Sequence, residues 1–233
     1  MEPVKFISKL LKVEVINEDT KVLTFSVPED FEFKAGQYIN MAFYKNGKRV
    51  IRSYSIFSSP SKKGKIKVYF KRVVGGYASN VIFNMKIGEK IEMKGPYGSF
   101  TIKSREKEII LISVGTGFGP FRSMILDLLE NGFDKELILL RGYRNEENLC
   151  CNEELNKLKE RFKNFKYFDI LSRPKDENYK LKGRVQNFIG NIVSKYFKGD
   201  FYLCGLKEMV LESKEKIIDL GFSSEQINSE RYD

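Results

Sequence analysis

From residue 108 onward the chain alternates apolar strand and amphipathic helix: EIILISVG, PFRSMILDLLENG, ELILLRGY, EELNKLKERF, FKYFDILS, GRVQNFIGNIVSKYF, FYLCG, KEMVLESKEKIIDLG and a last short segment, QINSE. Few folds accept that order. Parallel strands need a long crossover, a helix supplies it, and the crossover turns right-handed, so the pattern predicts a parallel, Rossmann-like α/β sheet. In such a sheet ligands bind outside the carboxyl ends of the strands.

The residues before it read differently. LKVEVI, VLTFSV, GQYINMAF, VIRSYSIF, KIKVYFKRV and EKIEMKG are rich in Val, Ile, Phe and Tyr and are separated by turn signals such as NED, PED, KNGK and SKKG. Short strands at this spacing predict an antiparallel Greek-key β-barrel. One interruption, YASNVIFNM at residues 77 to 85, reads as a short helix opening after Gly75-Gly76. The charged linker KSREKE, residues 103 to 108, separates the two patterns, which predicts a barrel domain over 1–103 and an α/β domain over 104–233.

Composition narrows the chemistry. The 233 residues include no histidine, which excludes Ser-His and Cys-His nucleophile arrangements and removes the commonest transition-metal ligand, so no metal site is expected. Cys150, Cys151 and Cys204 form no disulfide framework and no iron-sulfur ligand cluster. Reduced thiols, the absence of an apolar leader and the absence of a membrane-length apolar run predict a cytoplasmic protein that does not enter a membrane. The net charge of +10 favours an acidic partner, and the run SKKGKIKVYFKR, residues 61 to 72, carries six basic residues and no acid. By itself that run fits either a solvated hairpin face or a docking patch.

Candidate site residues follow from the strand ends. GTGFGP, residues 115 to 120, follows the first α/β strand. Gly115 and Gly117 permit a sharp turn and close approach to a phosphate, and Pro120 suits the first turn of the next helix. The second strand end offers Arg141 and Arg144 where an NAD site usually carries Asp or Glu; Arg173 and Arg184 follow near the third, which favours a phosphate there. Cys204 lies at the fourth strand end. In the barrel half, Arg52-Ser53-Tyr54-Ser55 puts a cation and an aromatic ring on one face of a strand and two hydroxyls on the other. That spacing fits an exposed strand face or a flat, charged ligand.

In order, these segments resemble the ferredoxin-NADP reductase superfamily over essentially the whole chain. RSYS resembles its RxYS flavin motif, VVGGYAS its flavin-phosphate helix start, and KGPYGSF the GPxGxF that closes the barrel. VGTGFGP resembles its nicotinamide-nucleotide loop, CGLKEM its CGxxxM element, and NSERYD its acid-x-aromatic tail. The resemblance implies FAD, with Arg52 on the pyrophosphate, Tyr54 stacked on the isoalloxazine and Ser55 near N5. Gly76 and Ser79 would hold the pyrophosphate, and Ser53, Lys71, Val73, Tyr77 and Ala78 complete the flavin set. It also implies a nicotinamide dinucleotide held by Gly115, Thr116, Gly117, Pro120, Arg144, Arg173, Arg184, Cys204, Gly205 and Met209. Cys204 would border the nicotinamide, Glu230 would tune charge or protons, and Tyr232 would cover the flavin. Asp233 follows that tyrosine here, whereas many members of the family end on the aromatic.

Function is then expected to be hydride exchange between NAD(P)H and FAD, with single electrons passed to an acidic ferredoxin or flavodoxin. The arginines predict NADP(H) over NAD(H). NADH-using oxygenase reductases resemble this chain around Arg144 and Arg173, so Arg184 in LKGRV is the more telling residue. An oxygenase electron-transfer component or free-flavin reductase would use the same motifs. A nucleic-acid-binding module rests on charge alone, and no nucleic-acid partner is expected.

Overall fold

The computed structural model describes residues 2–232, so Asp233 lies outside it. Contacts divide the chain into two compact units. The first runs through Ile102 and includes Gly119–Asp127; the second comprises Lys103–Phe118 and continues from Leu128.

The first unit holds β1 (Val4–Val15), β2 (Thr20–Ser26), β3 (Tyr38–Lys45), β4 (Lys48–Ser55), β5 (Lys65–Lys71), α1 (Tyr77–Asn84) and β6 (Lys90–Tyr97). The strands form an antiparallel sheet in the order β4-β3-β6-β1-β2-β5. Its two edge strands approach each other through an isolated Ile56↔Val68 bridge and the Phe57 N–H to Lys67 carbonyl bond, which half-closes the barrel. The KNGK signal is a two-residue hairpin turn: Asn46 and Gly47 both adopt positive φ, as the twist of β3 and β4 requires. Leu10, Phe25, Ile39, Met41, Ile56, Ile66, Val68 and Met93 form the buried centre. One expectation fell short: β1 starts at Val4, well before LKVEVI. Its first half alternates outward Lys5, Ile7 and Lys9 with inward side chains, and the outward isoleucine masks the period.

The second unit contains β7 (Ile109–Val114), β8 (Leu137–Tyr143), β9 (Phe165–Leu171), β10 (Asp200–Leu206) and β11 (Ile227–Tyr232). All pair parallel, in the order β11-β10-β7-β8-β9. Strand order therefore reverses between β7 and β10, the position where doubly wound sheets open a ligand crevice. The helices are α2 (Phe118–Glu130), α3 (Asn152–Arg161), α4 (Ile189–Ile192) and α5 (Lys207–Asp219). The expected helix GRVQNFIGNIVSKYF is instead a 3-10 turn, Val185–Phe188, followed by the single turn of α4. Gly190 sits 3.3 Å (at its would-be Cβ) from Leu220, and Val193 is already extended, so tight packing on the end of α5 replaces helix length. Among the described residues no helix is long and apolar enough to cross a membrane.

Candidate cofactor sites

Within the first unit, β4 decides the geometry. Its residues pair Val50 with Phe43, Arg52 with Met41 and Tyr54 with Ile39, so Arg52 and Tyr54 share the side of the sheet that carries the core. Because β4 is an edge strand, that side opens to solvent alongside it, and Arg52 is exposed while Tyr54 is half-buried. Tyr54 packs edge-on against Phe70 at 5.8 Å, and burial, opposed by the Arg52 charge, pushes its phenol up to about 12. The ring therefore stays neutral. On the opposite side, the Ser53 hydroxyl donates to Asn40 Oδ1 at 2.7 Å. Ser55 is half-buried, its Cβ 3.6 Å from the position a Cβ on Gly119 would take.

The loop into α1 supplies the second element. Gly75 adopts φ +76, Gly76 is the N-cap, and no side chain caps the helix. Its first-turn N–H groups thus have no intrahelical partner and suit an anion. The buried Ser79 hydroxyl accepts from the Val73 N–H at 3.1 Å and reaches the Val73 and Gly76 carbonyls at 2.9 and 3.1 Å. It fastens the loop from inside. A Cβ on Gly76 would stand 2.8 Å from that hydroxyl, so the glycine is needed for the loop to close. Val73 is exposed, Ala78 is buried, and the Tyr77 hydroxyl donates to the Tyr44 carbonyl. Lys71 is paired with Asp19 at 3.2 Å and takes no part in this cradle as it stands. An exposed guanidinium beside a neutral aromatic ring, and an uncapped helix start elsewhere in the same unit, fit the ring system and phosphates of a flavin.

In the second unit the loops after β7 and β10 touch at the switch point. A Cβ on Gly117 would lie 2.1 Å from the Cys204 carbonyl oxygen, and one on Gly205 2.7 Å from Val114 Cγ2. Those glycines admit one loop to the other. Gly115 differs: φ is +53 and nothing stands within 4 Å of its would-be Cβ, which leaves backbone open in front of it. Thr116 is the middle residue of this 3-10 turn, and Pro120 lies in the first turn of α2. Met209 is buried in the core, its sulfur accepting from Ser213 at 3.3 Å and its methyl backing the Gly205 loop.

The arginines separate into three kinds. Arg141 lies inside β8, fully buried; its guanidinium bonds Asp169 at 2.5 and 3.1 Å, the Cys150 carbonyl at 2.5 Å and Asn152 Oδ1 at 2.6 Å. It is a packing node, missed in the sequence because the strand runs two residues past it. Arg144 and Arg173 are exposed on adjoining loops, tied by the Arg173 N–H to the Arg144 carbonyl at 2.7 Å. Among the described residues neither pairs with a carboxylate. Arg184 is exposed but reaches Glu212 of α5 at 3.4 Å.

At the other side of the switch point, Cys204 stands in register with Glu230. Burial, then the neighbouring Glu230 charge, pushes the Cys204 thiol up, against a hydrogen bond from Tyr232. Burial also pushes Glu230 up to about 7. A neutral thiol and a carboxyl that titrates near neutrality thus share one strand end.

Each unit thus carries a loop suited to the phosphates of a bound cofactor. Residues 8–102 match the family described as "Oxidoreductase FAD-binding domain" and residues 111–215 that described as "Oxidoreductase NAD-binding domain". The chain belongs to the ferredoxin-NADP reductase superfamily. It is 30% identical over 230 residues to the phenol hydroxylase P5 protein of Acinetobacter pittii, covering 96% of this chain and 64% of that one. It is 29% identical over 238 residues to ferredoxin–NADP reductase B of Sorangium cellulosum, covering 98% of each. The cytochrome P450 reductase of Amycolatopsis superposes with a TM-score of 0.88 at 23% identity, covering 98% of this chain and 70% of that one. The chain spans less than two thirds of the phenol hydroxylase relative.

Proposed function

We propose that the protein is an FAD-dependent NADPH reductase that delivers electrons to a separate acidic carrier protein of the ferredoxin or flavodoxin kind. The observation that carries this reading is the open edge of β4, where Arg52 and Tyr54 lie on one side of the sheet. FAD held there would supply hydride acceptance and one-electron release, while the protein's residues bind and orient it. Arg52 pairs with a flavin phosphate, the N–H groups opening α1 bind the pyrophosphate, and Tyr54 and Ser55 orient the ring system. Gly115 and Thr116 receive the dinucleotide phosphates, and Arg144 and Arg173 receive its 2′-phosphate. Cys204 offers a neutral surface to the nicotinamide, Glu230 holds a proton near neutral pH, and Tyr232 borders the same strand end. The likeness to ferredoxin–NADP reductase B over 98% of both chains supports this reading. The likeness to the phenol hydroxylase P5 protein favours a second one, in which an oxygenase component receives the electrons.

The test is cofactor extraction, then anaerobic reduction by NADPH and NADH followed through flavin bleaching, then a screen of ferredoxin, flavodoxin and free flavin as acceptors. A yellow protein reduced by NADPH and re-oxidised by a carrier protein is expected. A colourless protein that refuses added FAD overturns the reading, and re-oxidation by free flavin alone moves it to a flavin reductase.

A further inference from the structure

The basic run 61–72 is the obvious place to seat an acidic partner, but its charges are largely committed. Lys63 pairs with Glu32 at 2.9 Å, Lys67 with Glu14 at 3.2 Å and Lys71 with Asp19 at 3.2 Å, while Arg72 lies 4.5 Å over the Phe83 ring. The unbalanced charge is elsewhere in the first unit, on the outward face of β1, β6, β3 and β4.

Register places the outward residues of that face in rows. Lys9 stands opposite Lys90, and Lys5 opposite Lys94, whose other neighbour is Asn40. Between these two rows runs a third, Ile7–Glu92–Ala42–Ile51. Ile7 is 61% and Ile51 44% exposed. Glu92 is the one acid among these row residues, and it is shared by Lys5 and Arg49. Like charges placed directly across a strand pair destabilise a sheet, and this face does so twice without a local carboxylate for Lys9, Lys90 or Lys94 among the described residues. Two exposed isoleucines set among lysines without a carboxylate partner offer apolar contacts beside a charged rim, as protein-binding surfaces do.

We propose that this face docks an acidic protein, which seats an apolar patch over Ile7 and Ile51 and carboxylates over the two lysine pairs. The inference rests on the proposed function in one respect: the docked protein is the electron acceptor. Strand β4 links the two, since it carries Ile51 on the docking face and Arg52 and Tyr54 on the opposite side.

The experiment compares wild type with K9E/K90E/K94E, with the milder K9Q/K90Q/K94Q, and with K157E/K159E/K163E, which makes the same charge change on exposed lysines of the α3 segment. A small acidic [2Fe–2S] ferredoxin and an acidic flavodoxin are the probes. Binding of each oxidised probe is measured by calorimetry, and its nicotinamide-driven reduction by kcat/KM across a salt series; reduction of a small neutral quinone is the control. Steering by a charged face changes association rates by roughly ten-fold or more. The face reversal should therefore weaken binding and kcat/KM for at least one probe about ten-fold and flatten the salt dependence, with the glutamine variant between. Quinone reduction and flavin content should hold in all variants, and the α3 variant should match wild type. Equal loss in the α3 variant, no loss in the face variants, or no binding of either probe by wild type overturns the docking face. So does loss confined to binding of phosphatidylserine vesicles or duplex DNA. Failure of quinone reduction in wild type strikes the proposed function instead, because the calorimetric comparison still reads the face.

Discussion

Cys204 and Glu230 stand directly across from each other on the parallel strands β10 and β11, a buried thiol beside a half-buried carboxyl. Burial raises Glu230 from 4.5 to about 7, so the folded protein binds this proton more tightly than the unfolded chain. The carboxyl is accommodated in full at low pH, and its ionisation subtracts stability as pH rises from 4.5 to about 7. Glu230→Gln removes that penalty. Thermal unfolding should show the variant level with wild type at pH 4.5 and more stable at pH 8, by ~1–2 kcal/mol after discounting for partial exposure, or about 2–8 °C in Tm. An equal Tm difference at both pH values would mean that Glu230 ionises freely.

The two glycines of the GTG turn serve different physical needs, and substitution separates them. Gly117 needs space, because a Cβ would lie 2.1 Å from the Cys204 carbonyl oxygen; Gly115 needs only its φ of +53. Gly115→Ala should cost ~1–2 kcal/mol, the strain of a left-handed alanine. Gly117→Ala should cost more and force apart the loops after β7 and β10. Chemical denaturation of both variants checks the order, which reverses if ligand contact rather than loop packing governs Gly117.

The alternation of strand and helix, the barrel-like opening half and the NG hairpin were all legible in the sequence, because each rests on local periodicity or on turn chemistry. What local pattern could not carry was partnership across the sheet. Arg141 and Arg144 stand three apart in one arginine-bearing strand end, yet one is sealed against Asp169 and the other is exposed. Lys71 and Arg184 likewise gain Asp19 and Glu212 from elements distant in the chain. The helix expected after Gly183 failed for the same kind of reason, since packing on α5 overrides its propensity.

Arg141 makes a prediction of its own. Its guanidinium is fully buried and held by Asp169, so Arg141→Ala strands a carboxylate inside the second unit. Breaking a buried pair from one side costs roughly 3–5 kcal/mol. Denaturant unfolding should report that loss, and the wild-type preference between nicotinamides should survive in whatever protein folds. A stable variant with altered nucleotide preference would return Arg141 to the binding site.

Arg52 is exposed at the β4 edge with one bond, to the Ile51 carbonyl at 2.8 Å. Removing it should leave the core intact and weaken flavin retention, since a charge-assisted bond contributes about 1.5–3 kcal/mol. Equilibrium dialysis of Arg52→Ala against FAD should show about ten-fold weaker binding or more, at unchanged Tm of the flavin-free protein. Unaltered affinity would detach Arg52 from the pyrophosphate.

Nucleotide choice turns on which arginines are available. Arg144 and Arg173 share adjoining loops after β8 and β9, and no described carboxylate pairs with either, whereas Arg184 already faces Glu212 at 3.4 Å. A 2′-phosphate near the first two gains charge-assisted bonds of about 1.5–3 kcal/mol each, so one net bond favours NADPH by about ten-fold or more. Arg184 would first have to exchange one anion for another, and its net gain is smaller. The expected result is a kcat/KM ratio of NADPH to NADH well above one in wild type. It should fall about ten-fold in Arg144→Ala or Arg173→Ala and change little in Arg184→Ala. A wild-type ratio near one would overturn the NADPH preference. A ratio that collapses only in Arg184→Ala would show that Glu212 releases its partner when the nucleotide binds, and Glu212→Gln should then raise NADPH affinity.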